Sequence, residues 1–196
     1  MDTRDAVLRR IELAERQDAR THDQFFEDTL MALRELFGAE LAEQARGAVT
    51  GWSGTGSFSC PVAEVLRLCD AGASAASLRV GVASAELLER LGVLTNRTFL
   101  DSPLGKAFWR FPGRDPHEVL RMSAASARAS TTFGERRYEK LGPSEALLLM
   151  RGDLMGPAWI LGFYGHGLQK LSGRPLSVKL EACREPGLDF NLRVTW

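Results

Sequence analysis

The sequence predicts an α+β fold, an N-terminal array of short helices packed with a C-terminal antiparallel β-β-α-β-β sheet unit. Two observations carry most of that prediction. Near the C-terminus, Leu176, Val178, Leu180 and Ala182 alternate with Ser177, Lys179 and Glu181, and Phe190, Leu192, Val194 and Trp196 alternate with Asn191, Arg193 and Thr195. Period-two alternation is the signature of half-buried strands, because successive side chains of a strand point to opposite faces. By contrast, residues 1–130 break into roughly six apolar-periodic segments separated by glycine and proline, the punctuation of short helices.

Taken in order, residues 3–20 have a helix-forming composition with a narrow stripe of Val7, Leu8, Ile11 and Ala14 or Glu15. So narrow a stripe suits a peripheral helix or one that docks onto a partner. Thr21-His22-Asp23-Gln24 reads as a capping box opening a helix that buries Phe25 or Phe26, Leu30, Leu33 and Phe37, ended by Gly38. Ala39 to Val49 forms a second short helix, followed by the glycine-rich stretch Thr50 to Ser57. That stretch lacks the Gly-Lys-Ser/Thr ending of a phosphate-binding loop and follows no strand, so it reads as an ordinary loop. Pro61 suits a first helical position, with Val62, Val65, Leu66, Cys69 and Ala73 facing inward. Residues 82–91 form a helix stopped by Gly92, and Ser102-Pro103 and Asp115-Pro116 open two more. Phe133 to Leu141 and Glu145 to Arg151 then read as strands joined by Gly142-Pro143-Ser144. The second contains Ala146 to Met150, apolar on both faces, which predicts a central strand covered on both sides. Ala158 to Leu171 is a helix, and Arg184 to Asp189 closes the last hairpin. Residues 1–20 are thus expected to be a peripheral element. Residues 21–196 are one domain, with a helical part over 21–130 and a sheet part over 131–196.

Composition narrows the function classes. Among 196 residues, 25 Lys and Arg balance 25 Asp and Glu, so the surplus of positive charge expected of a nucleic-acid or anionic-membrane binder is missing. No apolar run approaches the ~20 residues of a membrane span. The charged N-terminus does not resemble a signal peptide, so the expected location is cytoplasmic. Three cysteines, Cys60, Cys69 and Cys183, without CxxC spacing read as reduced thiols.

The C-terminal residues Gly162, Gly167 to Gly173, Val178 to Cys183 and Gly187 resemble the end of the vinyl reductase-type ligand-binding domain. That domain is similar in fold to TRAPP vesicle-tethering subunits and to haem–nitric oxide binding domains. Over roughly residues 21–196 the chain is also similar to a paralogous myxobacterial family of unknown function. Phe26, Leu30, Leu33, Pro61 to Leu68, Ser102 to Lys106 and Leu192 to Trp196 carry that likeness. The resemblance implies a binding fold whose relatives commonly dimerise. It also implies two cofactor possibilities, and the residues argue against both. Many vinyl reductase-type domains bind metal with cysteines eight residues apart across the final hairpin; here Cys183 is matched by Asn191, and a structural zinc site wants four N or S ligands. The haem-binding relatives use a proximal His and a Tyr-x-Ser-x-Arg clamp, and Tyr138 to Gly142 departs from that clamp after its first residue.

Three groups of side chains remain as candidates. His166 lies in Gly162-Phe163-Tyr164-Gly165-His166-Gly167, where the glycines mean either close packing of the helix backbone or a cavity wall with His166 as a polar contact. Trp159, Phe163 and Tyr164 fall at helical spacing and belong either to the core or, with Leu148 and Met150, to an apolar pocket between helix and sheet. The run Glu135 to Lys140 reads as charge protection of an edge strand. The expectation is therefore a non-enzymatic binding module of signalling or scaffolding type, with no catalytic, metal or cofactor residues, acting through a protein partner or self-association. The alternative is a sensor holding an apolar small molecule or lipid between the 158–171 helix and the sheet.

Overall fold

Apolar periodicity of 3.6 in the first two-thirds and of 2 in the last third is resolved into helices α1 (Arg4–Arg16), α2 (Asp23–Phe37), α3 (Ala39–Arg46), α4 (Val62–Val80), α5 (Ser84–Asp101), α6 (Pro103–Phe108), α7 (Pro116–Ser130) and α8 (Pro157–Ser172), and strands β3 (Glu135–Gly142), β4 (Glu145–Arg151), β5 (Ser177–Arg184) and β6 (Asp189–Thr195). Two short strands, β1 (Arg20–Thr21) and β2 (Cys60–Pro61), pair separately. This computed structural model describes residues 3–52, 60–108, 115–184 and 187–196. Part of the glycine-rich stretch 50–57 and part of the last hairpin turn lie outside them. The α+β class and the β-β-α-β-β order of the last third are as the sequence predicts.

The larger sheet is antiparallel with strand order β3-β4-β6-β5. Ala146, Leu148 and Met150 of β4 stand in register with Val194, Leu192 and Phe190 of β6, and all six are buried on one face. The other face is not covered as expected: Leu147 and Leu149 are only half-buried. In register beside them are Arg193, Asn191 and Arg137. There Arg193 joins Glu145 and Glu181. The helices pack on one face alone, and long charged side chains occupy the other.

The N-terminal helix is less peripheral than its composition suggests. Val7, Ile11 and Ala14 are buried in the same hydrophobic cluster as the rest of the chain, with α1 packed along α4. Arg10 is buried too, its guanidinium close against Gly156 at the start of α8. Thr21 does not cap α2. It is drawn into β1, where its hydroxyl donates to the Ser130 carbonyl at 3.2 Å, and His22 Nδ1 accepts the Gln24 N–H at 3.3 Å instead. Burial pushes the thiols of Cys60 and Cys69 up to about 12, leaving them inert core groups.

Gly92 does not stop α5, which continues to Asp101. Its role is contact. A Cβ on Gly92 would overlap the carbonyl oxygen of Trp159, and one on Gly162 would overlap that of Glu89. Further along, Asn96 of α5 lies against Gly167 of α8, so the two helices run in the same direction and touch backbone to backbone at this crossing. Gly165, on the same helix, meets nothing within 4 Å. Accordingly, Gly92→Ala and Gly162→Ala are expected each to destabilise by about 2 kcal/mol or more, since peptide groups cannot yield as side chains do. Gly165→Ala should stabilise by about 0.5–1 kcal/mol through helix propensity. Denaturant melts of the three variants check this, and equal effects at all three would contradict the crossing.

Asp28 is buried on α2 and its Oδ2 has no hydrogen-bond partner. Burial raises its carboxyl from 3.8 to about 7, outweighing the hydrogen bond from Gln24. Between those values the folded state holds a proton that the unfolded chain has lost, so stability falls as pH rises through that window. Asp28→Asn keeps the acceptor for Gln24, and should flatten this dependence and add on the order of 2–4 kcal/mol at pH 8. Unfolding free energies measured across the window decide it; an unchanged slope would count against the assignment.

Candidate functional site

Beyond the Gly92–Gly162 crossing, α5 and α8 border a cavity of about 210 Å³. Phe25 of α2, Asn96, Phe99 and Leu100 of α5, and Phe163, Tyr164, Gly167, Leu168 and Leu171 of α8 line it. The opposite wall is α7, where Val119, Ser123, Ser126, Ala127, Ala129 and Ser130 face the space, with His22 and Arg136 completing the lining. The small side chains of α7 are what leave room. Phe25 lies in stacked contact with Phe99 and Phe163, centroids 5.4 and 5.8 Å apart, and Phe163 stacks in turn on Trp159 at 4.7 Å. A second void of about 20 Å³ lies beyond Phe25 and Phe163, bordered by Trp159, Met155 and Arg136.

The polar groups of the wall are few and ordered. Arg136 Nη2 and Nε donate to Asp153 Oδ2 at 2.9 and 3.3 Å, and Nη1 donates to the Tyr164 hydroxyl at 3.0 Å. Asp153 Oδ1 in turn accepts the Met155 N–H at 2.9 Å, which fixes the carboxylate at the start of α8. Burial opposes the Arg136 charge, but Tyr164 and Asp153 more than offset it and the guanidinium stays protonated. Asn96 differs: it is 4% exposed, packed against Gly167, and its Oδ1 has no hydrogen-bond partner.

The predicted pocket residues separate. Phe163 and Tyr164 line the cavity, and Trp159 lines the smaller void. Leu148 and Met150 are fully buried in the sheet core and lie on neither wall, so the space is among helices rather than between helix and sheet. His166 is half-buried with its Nε2 unpartnered, among Lys170, Arg97 and Asp101, and not on the cavity wall. Burial, with Lys170 and Arg97 nearby, pushes its imidazole below the ordinary range. Gly162 serves packing, and Gly167 packs against Asn96 while lining the cavity, but His166 is not the polar contact on that wall. Sequence reasoning missed Asn96 and Phe99, which lie past Gly92. It also missed Arg136, which alternation places inward, away from its outward-facing neighbours Glu135 and Arg137. The run Ser123 to Ser130, almost all Ser and Ala, was the available sign of a thin wall.

A family model described as Protein of unknown function (DUF2378) matches residues 20–196. The chain belongs to that family. None of the curated proteins compared matches the chain. Solved structures do resemble it: a substituted variant of Tt H-NOX has a TM-score of 0.68 at 16% identity, covering 89% of this chain and 94% of that one. An Fe(II) unliganded H-NOX variant from K. algicida has a TM-score of 0.67 at 16% identity, covering 89% and 95%. An oxygen-binding H-NOX domain related to soluble guanylate cyclases has 0.61 at 15%, covering 86% and 91%. At such identities the likeness concerns fold.

A porphyrin does not fit the residues present. An apolar cavity of ~150 Å³ holds benzene, so about 210 Å³ takes one ring or two fused rings, not four pyrroles. The imidazole on the wall is His22, whose Nδ1 accepts a backbone N–H. Among the described residues, no group of three or more His, Cys, Asp or Glu is placed to hold a metal ion.

Proposed function

We propose that this protein is a non-enzymatic small-molecule-binding module of sensor type, holding an apolar molecule in the pocket bordered by α2, α5, α7 and α8, which is partly open to solvent. The observation that carries this is the cavity itself: apolar and aromatic over most of its wall, with a few convergent polar groups, in a core that is otherwise well packed. Protein interiors leave few voids larger than a water molecule, and an apolar pocket with sparse polar contacts is the usual form of a binding site. The H-NOX likeness supports the reading in kind. The volume favours a compact molecule over a long-chain lipid.

Toluene is a suitable neutral probe. Titrated into the isotope-labelled chain, it is expected to shift the amide resonances of Asn96, Ala127, Gly167 and Leu171. Ala127→Leu should fill the space, weakening toluene about tenfold or more while leaving stability equal or higher by about 0.5–2 kcal/mol. No shift with toluene, or shifts that Ala127→Leu leaves unaltered, would reject the reading.

A second reading, contact with a protein partner or another copy of the chain, draws on a separate observation. β5 is an outer strand whose Leu180 to Arg184 are exposed. An uncovered strand edge is a template for pairing. Light scattering should then show a dimer that Leu180→Lys dissolves; a monomer at high concentration would remove the second reading.

A further inference from the structure

The cavity has more chemistry than its shape. Resting on the binding reading above, we infer that its ligand class is a compact, uncharged aromatic molecule bearing a single hydroxyl or ring N–H.

Size comes first. The volume of about 210 Å³ exceeds what benzene occupies in a closed apolar cavity, ~150 Å³, by the space of a substituent or a second fused ring. Aromatic character follows from the wall. Phe25 already stacks on both Phe99 and Phe163, and Tyr164 stands edge-on to Phe163 with centroids 6.0 Å apart. A further ring entering this group gains the offset or edge-to-face geometry that aromatic pairs prefer.

Charge is excluded by balance. Arg136 brings a full positive charge to the wall, and Asp153, 2% exposed at its side chain, offsets it at 2.9 Å. An anion would face a guanidinium already neutralised, and a cation would find no carboxylate left over. A charge held beside this pair, away from the pocket's open side, would be desolvated without compensation, which is costly.

The hydrogen-bonding group follows from what the wall leaves unsatisfied. Ser123 and Ser126 donate their hydroxyl protons to the carbonyls of Leu120 and Ser123, at 2.8 and 3.0 Å. Asn96 is different, with a buried Oδ1 that lacks any partner. A buried amide oxygen left unpaired costs about as much as a lost hydrogen bond. Oδ1 is sealed against Gly167 as it stands, so the amide must turn toward the cavity for a ligand O–H or N–H to remove that cost. The Tyr164 hydroxyl accepts from Arg136 and keeps its own proton to give, so a hydroxyl on the ligand could answer both groups.

The test uses the full chain, with phenol, indole, toluene and benzoate as probes read by amide shifts and calorimetry. Phenol and indole are expected to bind, and benzoate is not. In Asn96→Leu, a near-isosteric change, phenol and indole should weaken about tenfold, the equivalent of one hydrogen bond. Toluene should stay within about twofold, which also shows that the variant is folded. Tyr164→Phe should weaken phenol but not indole. If phenol and indole bind Asn96→Leu as they bind the parent, or benzoate rivals phenol, the ligand class is wrong while toluene binding keeps the cavity reading. If toluene too fails to bind the parent chain, the cavity reading falls and the class with it.

Discussion

The structure depends on a backbone-to-backbone contact between two helices. Where Gly92 of α5 meets the Trp159 carbonyl and Gly162 of α8 meets that of Glu89, there is room for no side chain. Helices ordinarily stand 8–10 Å apart according to the residues between them. Glycine at both faces sets the minimum. This contact joins the helical array to the β-β-α-β-β unit, since α5 belongs to the first and α8 to the second. It also defines where the cavity begins. The two helices touch at Gly92 and Gly162, and one turn further on the same seam carries Asn96 and Gly167, both on the cavity wall.

Two other features keep the space open. One is the composition of α7, whose cavity-lining residues are, Val119 apart, Ser and Ala and extend little beyond the helix backbone. The other is the ring group of Phe25, Phe99 and Phe163, which holds its own geometry and does not collapse onto α7. An unfilled space of this kind forfeits dispersion contacts along its lining. Arg136 marks its polar end. Because it stands opposite Met150 on the inner face of β3, and its neighbours Glu135 and Arg137 pair with one another outside, strand alternation alone separates a cavity-wall cation from two surface charges.

The α+β class, the strand pairs and most helix starts were legible because they rest on local periodicity and on proline and cap chemistry. The errors share one cause. Gly92 was read as a helix stop and Ala146 to Met150 as doubly covered, yet each depends on what lies opposite in space. A glycine in a helix can end it or admit a neighbour, and composition does not distinguish the two. Thr21 carries a good cap signal, and lost that role to pairing with Thr131, a partner more than a hundred residues away.

The site divides in the same way. Phe163 and Tyr164 were visible as aromatics at helical spacing, and they do line the cavity. Leu148 and Met150 were assigned with them because strand and helix were expected to face each other across the pocket. The fold instead closes the pocket with α7 and α2, and of the sheet's inner face only Arg136 reaches it. Asn96 looked like any polar residue on a helix, since an unpartnered amide is defined by the absence of groups brought near it. Residue order thus decides which segments become helix or strand, because those choices are made among neighbours in the chain. Which side chains enclose a cavity is set when distant segments meet, where close contact and exclusion from water act between residues that sequence spacing does not relate.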